Sequence, residues 1–406
     1  MTSPDGLAPP PPALRRVLGT PLLALYGIGV IVGAGIYVLV GAVIGEAGSL
    51  APWSFVLAGI LAGLTGLSYA ELAVRFPEAA GAAAYVKEAF GSDRLSRLAG
   101  FAVVVVVVVS TASIARGSIG YVQVFASVPG SLIAGGVVAL FTLVACLGVR
   151  ESVGVGAAMT LIEIGGLLLV IAAGVPSLLS LPVHVDELMP WPAGWASIGI
   201  GAFLAFFAFL GFENLANMAE EARVPERSLP RAILLSLGIC TLLYTVIALV
   251  VVLTLRPDML AASQTPLLDV TAGAGWFSPE AFAGIAIVAV VNGVLLELIM
   301  LGRLLFGMAR RGWLPAGLGA TSPRHIPIRA TLLGGGIVFA ITVAVPFASL
   351  VAATSTITLL VFAGVNLALW RLQQSRPRSE GFRVPRLIPP LAAVLNLLLA
   401  AAPLLD

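Results

Sequence analysis

The chain of 406 residues draws 59% of them from the hydrophobic set and only 10% from the charged set, with a formal net charge of +2. Soluble domains carry roughly 45–50% apolar and about 25% charged residues, so an ordinary cytosolic enzyme, a nucleic-acid binder and a disordered chain are all excluded. Apolar runs of about 20 residues recur from end to end, too long for barrel strands, and predict an all-α polytopic membrane protein embedded in a lipid bilayer.

Residues 1–16, with Pro9 to Pro12 in a row, read as a short disordered tail without the layout of a cleavable signal. Eleven spans follow, at about 17–44, 51–75, 95–125, 131–149, 153–180, 193–221, 228–255, 280–310, 328–346, 348–371 and 385–405. The stretch Ala82 to Phe90 is too short to cross and predicts an interfacial helix. Arg15 and Arg16, Arg75 to Arg97, Arg150, Arg223 to Arg231, Arg310 to Arg329 and Arg371 to Arg386 fall at alternate loops. The opposite loops hold Glu46, His184, Asp186, Glu187, Asp258 and Asp269, with Arg256 the basic exception. The positive-inside rule therefore sets the N-terminus in the cytoplasm and Asp406 outside, in a multi-pass protein of the cytoplasmic (inner) membrane. Cys146 and Cys240 lie within apolar runs and read as small buried hydrophobes.

Transporters are often built from two inverted halves whose corresponding helices break near the bilayer midplane. The first span carries Gly27-Ile28-Gly29-Val30-Ile31-Val32-Gly33-Ala34-Gly35, and the sixth carries Phe206-Phe207-Ala208-Phe209-Leu210-Gly211-Phe212-Glu213. With five spans between their starts they run in opposite directions, as two inverted five-span repeats require. Residues 17–180 would form the first repeat and 193–371 the second, together the transporter core 17–371, with 385–405 as an additional helix. Gly29 and Gly33 by themselves fit a helix-packing pattern. The triplet Gly33-Ala34-Gly35 goes further, because it lowers helix propensity mid-span and lets a ligand approach the backbone. An unwound segment frees N–H and C=O groups that must be satisfied in hydrocarbon, and a bound polar solute can do so. The N–H groups of Ala34 and Gly35 would open a half-helix that favours a carboxylate. Carbonyls of Ile31, Phe207 and Leu210 would face an ammonium, so an α-amino acid supplies both charges.

These residues resemble an amino acid permease of the amino acid/polyamine/organocation superfamily, which has the LeuT fold. The matching stretches are Gly33-Ala34-Gly35-Ile36-Tyr37; Ser68-Tyr69-Ala70-Glu71-Leu72 with Phe76-Pro77 and Gly81; Phe209-Leu210-Gly211-Phe212-Glu213 with Glu220-Glu221 and Pro225; and Gly307-Met308-Ala309-Arg310-Arg311-Gly312-Trp313-Leu314-Pro315. They run from residue 18 to about 370 in the family's order. Thr111-Ala112-Ser113-Ile114-Ala115-Arg116 further resembles the cationic amino acid transporter branch, a label of ancestry rather than of substrate. The resemblance implies secondary active transport by alternating access, with Gly33, Ala34 and Gly35 on the substrate carboxylate and Ile31, Phe207 and Leu210 on its amine. It also makes Phe207 an aromatic gate over the substrate; its other reading is a core or lipid-facing aromatic.

Charged groups inside spans are costly and therefore functional candidates, here Arg116, Glu163, Glu213 and Glu297. Glu71, Glu220 and Glu221 lie nearer helix ends, where a solvated or arginine-paired face accounts for them; Glu71 and Arg75 are an i, i+4 pair. Some proton-coupled relatives carry a lysine in the fifth span at Thr-x-x-Lys, and this chain has Thr160-Leu161-Ile162-Glu163. Glu163 is thus the candidate for proton coupling, with a cation site, an ion pair to Arg116 and a substrate contact as the other readings. Glu213 follows the break of span 6, where the family often carries an acid linked to protonation or gating; a hydrogen bond to freed backbone is the alternative. Glu297 lies five residues after Asn292 and faces either the site or the bundle. Relatives with a sodium site carry a hydroxyl where this chain has Gly302 before Arg303. Protons are therefore the expected coupling ion, with exchange or facilitated diffusion as alternatives.

His184 and His325 fall in loops on opposite sides, and no HExxH, GxSxG or GxxxxGK[ST] motif occurs, so no enzyme, catalytic residue, metal or cofactor is expected. A non-transporting ligand sensor is the rival of another class. Among substrates, a cationic side chain would want Glu213 or Glu297, a neutral one the wall of Ala34, Phe203 and Phe207, and an amine or polyamine would leave the N–H groups of Ala34 and Gly35 unmet. The sequence leaves the oligomeric state open.

Overall fold

The computed structural model describes residues 18–77, 81–147, 153–190, 194–219, 222–256, 259–260, 263–322, 326–376 and 381–404. The tail 1–16 and the side chain of Ala34 lie outside the described residues, as do Arg150, Glu220, Glu221, Asp258, His325 and Asp406.

Helix boundaries follow local chemistry. Proline stands in the first turn of span 1 (Thr20–Ala47), span 2 (Ala51–Arg75) and span 8 (Pro279–Arg310), where no intrahelical partner for its missing N–H is needed. The hydroxyls of Ser92 and Ser278 cap span 3 (Asp93–Gly117) and span 8 by accepting from Leu95 N and Ala281 N. Span 4 is Gly130–Leu147, span 5 Val153–Ala173, span 7 Pro225–Thr254, span 9 Ile328–Ala344, span 10 Phe347–Ser375 and span 11 Ile388–Ala401. A short helix is present at Ala82–Phe90 and ends on Gly91 at φ +65°, a left-handed residue that favours glycine.

Two features go beyond the expected spans. Span 6 is helical only over Trp195–Ala205 and continues as two tight 3-10 segments, Phe206–Phe209 and Phe212–Met218. A second short helix, Pro266–Ala274, lies between spans 7 and 8, the place that Ala82–Phe90 holds between spans 2 and 3. Its nine residues are too few to register as an apolar run, although Pro266 in its first turn and Gly275 after its last residue are ordinary start and stop signals.

Among the described residues, seven helical stretches are long and apolar enough to cross a membrane, and shorter apolar helices cover Thr20–Gly33, Ala158–Ala173, Ile328–Ala344 and Ile388–Leu404. The second half of span 1 runs through the turn Gly48–Leu50 into span 2, so these two count as one stretch. The chain is a multi-pass, all-α membrane protein.

The buried side chains form two cores. Among the described residues, one is centred on spans 1, 2, 6, 7 and 10, with parts of spans 5, 8 and 11, and the other on spans 3, 4, 8 and 9, with single residues or short stretches of spans 1, 6 and 10. Span 11 packs on spans 10 and 2, where the Thr65 hydroxyl accepts from both Asn366 Nδ2 at 3.1 Å and Asn396 Nδ2 at 3.0 Å. This buried polar joint ties span 11 into the first core.

Candidate functional site

Span 1 loses helical geometry at Gly33, with φ −11° and ψ −146°. Span 6 loses it at Leu210, which is extended at φ −60° and ψ 146°, and at Gly211, which turns to φ +114°. The two breaks lean on each other. A Cβ added to Gly35 would stand 2.9 Å from the Cα of Ala208, and one added to Gly211 would stand 2.8 Å from the carbonyl oxygen of Val30. Glycine at 35 and 211 therefore permits backbone to pack on backbone. Gly33 is different, since a Cβ there meets no atom within 4 Å.

Freed backbone groups find partners at these breaks. The Ile31 carbonyl accepts from the buried hydroxyl of Tyr244 on span 7 at 2.8 Å. The Phe207 carbonyl accepts from Leu210 N at 3.1 Å, and Gly211 N donates to Glu213 Oε2 at 2.9 Å. Glu213 thus bonds to the freed backbone of its own break. Removing the tyrosine hydroxyl with Tyr244→Phe leaves the Ile31 carbonyl short of a donor, at a cost of about 1–2 kcal/mol. A thermal-unfolding midpoint unchanged by that substitution would mean the bond carries no weight.

Glu163 sits where spans 1, 5 and 8 meet. Thr160, one turn earlier, packs on Gly29, whose added Cβ would stand 3.0 Å from the threonine Cβ. The Glu163 side chain is fully buried. Its Oε1 accepts from Asn292 Nδ2 at 3.0 Å, while Oε2 has no partner among the described residues. Its backbone carbonyl accepts from the Tyr37 hydroxyl at 2.6 Å, and the Tyr37 carbonyl in turn accepts from Tyr121 at 2.7 Å. Tyr37 follows Gly33 by one turn of span 1, so this chain of bonds anchors the second half of the broken helix to span 5.

Arg116 does not pair with Glu163. Its Nε and Nη2 donate to the carbonyls of Thr342 and Val343, at 2.6 and 3.1 Å, and so cap the end of span 9. Glu297 Oε2 accepts from Ser110 Oγ at 2.6 Å and Thr111 Oγ1 at 2.7 Å, joining span 8 to span 3. Glu71 is buried, and its carboxylate accepts from Arg75, from Gln373 Nε2 and from Val384 N. It is paired rather than solvated.

Phe207 is buried within the core of spans 3, 4, 8 and 9, whereas Phe206, Phe209 and Phe212 belong to the other core. The 3-10 segment thereby threads between the two cores and presents aromatic rings to both. Phe209 stacks edge-on to Tyr244 at 5.2 Å between centroids, and Phe212 lies 5.2 Å from Phe362.

The structure thus brings Ile31, Gly33, Gly35, Phe207 and Leu210 into one region, with Glu163 beside span 1 and Glu213 on the break itself. Arg116 stands apart at the end of span 9. Sequence reasoning passed over Tyr244 and Asn292, the partners of Ile31 and Glu163. A lone tyrosine or asparagine in an apolar span carries a weak signal; only its burial rule, that a polar group inside must find a partner, points to it.

A family model described as amino acid permease matches residues 18–406. Cationic amino acid transporter 9, chloroplastic, of Arabidopsis thaliana is 32% identical over 333 residues, covering 75% of this chain and 57% of the plant protein. Cationic amino acid transporter 4, vacuolar, of the same plant is 30% identical over 392 residues, 90% of this chain and 65% of the relative. The chain therefore spans about six-tenths of the length of these two plant relatives. The branched-chain amino acid permease BcaP of Bacillus subtilis is 30% identical over 414 aligned residues, 95% of this chain and 88% of the permease. With broken spans 1 and 6 in contact and a family match across every described span, the chain belongs to the amino acid permease family.

Proposed function

We propose that this protein carries amino acids across the cytoplasmic (inner) membrane by alternating access, with proton coupling through Glu163. The apposed breaks of spans 1 and 6 carry this reading: Gly35 lies on Ala208, Gly211 lies on Val30, and open space stands beside Gly33. In hydrocarbon an interrupted helix is tolerated where its backbone lines a cavity or meets a ligand. The substrate carboxylate would take the N–H groups of Ala34 and Gly35, and its ammonium the carbonyls of Ile31, Phe207 and Leu210. Phe207, held in the second core on the segment that threads between the two, would swing as those cores move against each other.

The placement of the short helices Ala82–Phe90 and Pro266–Ala274 after spans 2 and 7 supports two inverted repeats, 17–180 and 193–371. The arginine-rich loops support a cytoplasmic N-terminus. Glu163 suits a coupling role because one carboxylate oxygen is held by Asn292 and the other is unpartnered at the junction of three spans. A carboxyl group so placed exchanges a proton when the surrounding helices admit water, and a change in its charge alters what spans 1 and 8 must accommodate.

Uptake of individually labelled amino acids and amines into proteoliposomes, with and without an inward proton gradient, tests both levels. Glu163→Gln is expected to lower gradient-driven accumulation by about tenfold or more, while exchange of internal for external amino acid persists. Gradient-independent uptake equal in native protein and variant would leave a carrier working by exchange or facilitated diffusion and remove the coupling role. Binding without any uptake would turn the reading to a ligand sensor.

A further inference from the structure

We propose that the outer face of span 7 holds an anionic phospholipid, its phosphate between Arg227 and Arg231 and an acyl chain along the leucines that follow. A cavity of about 590 Å³ opens between the first turns of span 7 and the segment before span 11, lined by Glu226, Arg227, Pro230, Arg231, Leu234 and residues Gly381 and Phe382. The side chains of Arg227 and Arg231 are exposed and, among the described residues, form no hydrogen bond or ion pair. They stand four residues apart, one above the other on a single helix face. The arginines Arg75, Arg371 and Arg376 at the same end of the bundle are instead spent on protein partners: Glu71, the Ala89 carbonyl and Glu88.

The same face continues into the bilayer as an apolar track. Leu234 is 40% exposed, Leu235 50%, Ile239 46% and Leu242 67%, and a Cβ at Gly238 would meet no atom within 4 Å. The spacing 227, 231, 234/235, 238, 242 is one helical stripe that passes from guanidinium to leucine as the span leaves the interface. Glu226 at the rim offsets one charge but not both. A soluble anion would use only the upper part of this surface; an anionic lipid is complementary to all of it, with charge at the mouth and hydrocarbon below. Gly381, at φ +88°, turns the segment before span 11 so that Phe382 closes the cavity's far wall. The lipid would therefore bridge span 7 to the segment leading into span 11, two elements that belong to the core of spans 1, 2, 6, 7 and 10.

The site is tested on purified full-length protein by native mass spectrometry after addition of dioleoylphosphatidylglycerol or dioleoylphosphatidylcholine, with inorganic phosphate as a separate arm. The expected result is retention of phosphatidylglycerol over phosphatidylcholine, lowered about tenfold in R227Q/R231Q and kept in R227K/R231K and in the distant control R94Q. Since Arg227 and Arg231 are exposed and unpaired, the double variant should elute as the native protein does. Equal retention of both lipids, retention unchanged in R227Q/R231Q, or displacement of phosphatidylglycerol by millimolar phosphate would overturn the proposal.

Discussion

Replacing Gly211 by alanine is expected to destabilise the protein by roughly 2–5 kcal/mol and to abolish transport. Two costs combine. Gly211 sits at φ +114°, where an L side chain is disfavoured by about 1–2 kcal/mol. Its new Cβ would also stand 2.7 Å from Val30 Cγ1 and 2.8 Å from Val30 O. The side chain can rotate away, but the carbonyl oxygen belongs to span 1, so the two broken segments must part. Overpacking of this kind costs about 1–3 kcal/mol. Gly33→Ala should behave in the opposite way, because no atom lies within 4 Å of its Cβ. It is expected to keep the native unfolding midpoint while raising the substrate concentration needed for half-maximal uptake. Thermal unfolding in detergent, paired with proteoliposome uptake, separates the two glycines; a Gly211→Ala protein as stable as the native one would refute the backbone-packing account.

Glu71→Ala is expected to cost about 3–5 kcal/mol, the range for breaking a buried ion pair from one side. The carboxylate is inaccessible to solvent and receives four donors: Arg75 Nε at 2.9 Å, Arg75 Nη2 at 2.5 Å, Gln373 Nε2 at 2.9 Å and Val384 N at 2.6 Å. All four point inward to one group, so its removal leaves a nearly buried guanidinium without its counter-charge and the buried Val384 N–H without an acceptor. Arg75 further donates to the Arg376 carbonyl at 3.0 Å, so the end of span 2, the end of span 10 and the approach to span 11 share one knot. Glu71→Gln should cost nearly as much, since its amide NH₂ would face another donor whichever way it is turned. A shift in unfolding midpoint below that of an exposed control such as Arg94→Gln would show that the knot is dispensable.

Much of the fold could be read directly from residue order. The spans were legible because a bilayer demands about 20 apolar residues in a row, and that demand is local. The break in span 1 was legible because Gly33 and Gly35 place two poor helix formers mid-span, where hydrocarbon would otherwise reward a continuous helix. The break in span 6 was expected from its relation to span 1, yet its form, two 3-10 segments about Leu210 and Gly211, was not. Phe206 to Phe209 carry no breaker of their own, and their rings are divided between the two cores. The helix Pro266–Ala274 escaped notice because nine mixed residues register neither as a span nor as an amphipathic stripe.

The charged residues divide the same way. Their presence inside the spans marked Glu163, Glu213, Glu297 and Arg116 as unusual, since ions in hydrocarbon require a reason. What each one touches depended on distant chain. Glu163 meets Asn292 across 129 residues, Tyr37 reaches the Glu163 carbonyl across 126, and Val384 N reaches Glu71 across 313. Arg116, a candidate partner of Glu163 by charge, instead caps span 9.

The sequence by itself determined the membrane-spanning class, the glycines that break span 1 and the family to which the chain belongs, because hydropathy and backbone freedom are properties of short stretches. Only the tertiary structure decided that Gly211 must clear Val30, that Tyr244 holds the Ile31 carbonyl, and that Glu71 rather than solvent satisfies Val384, because each depends on which helix face the packed bundle turns toward which neighbour.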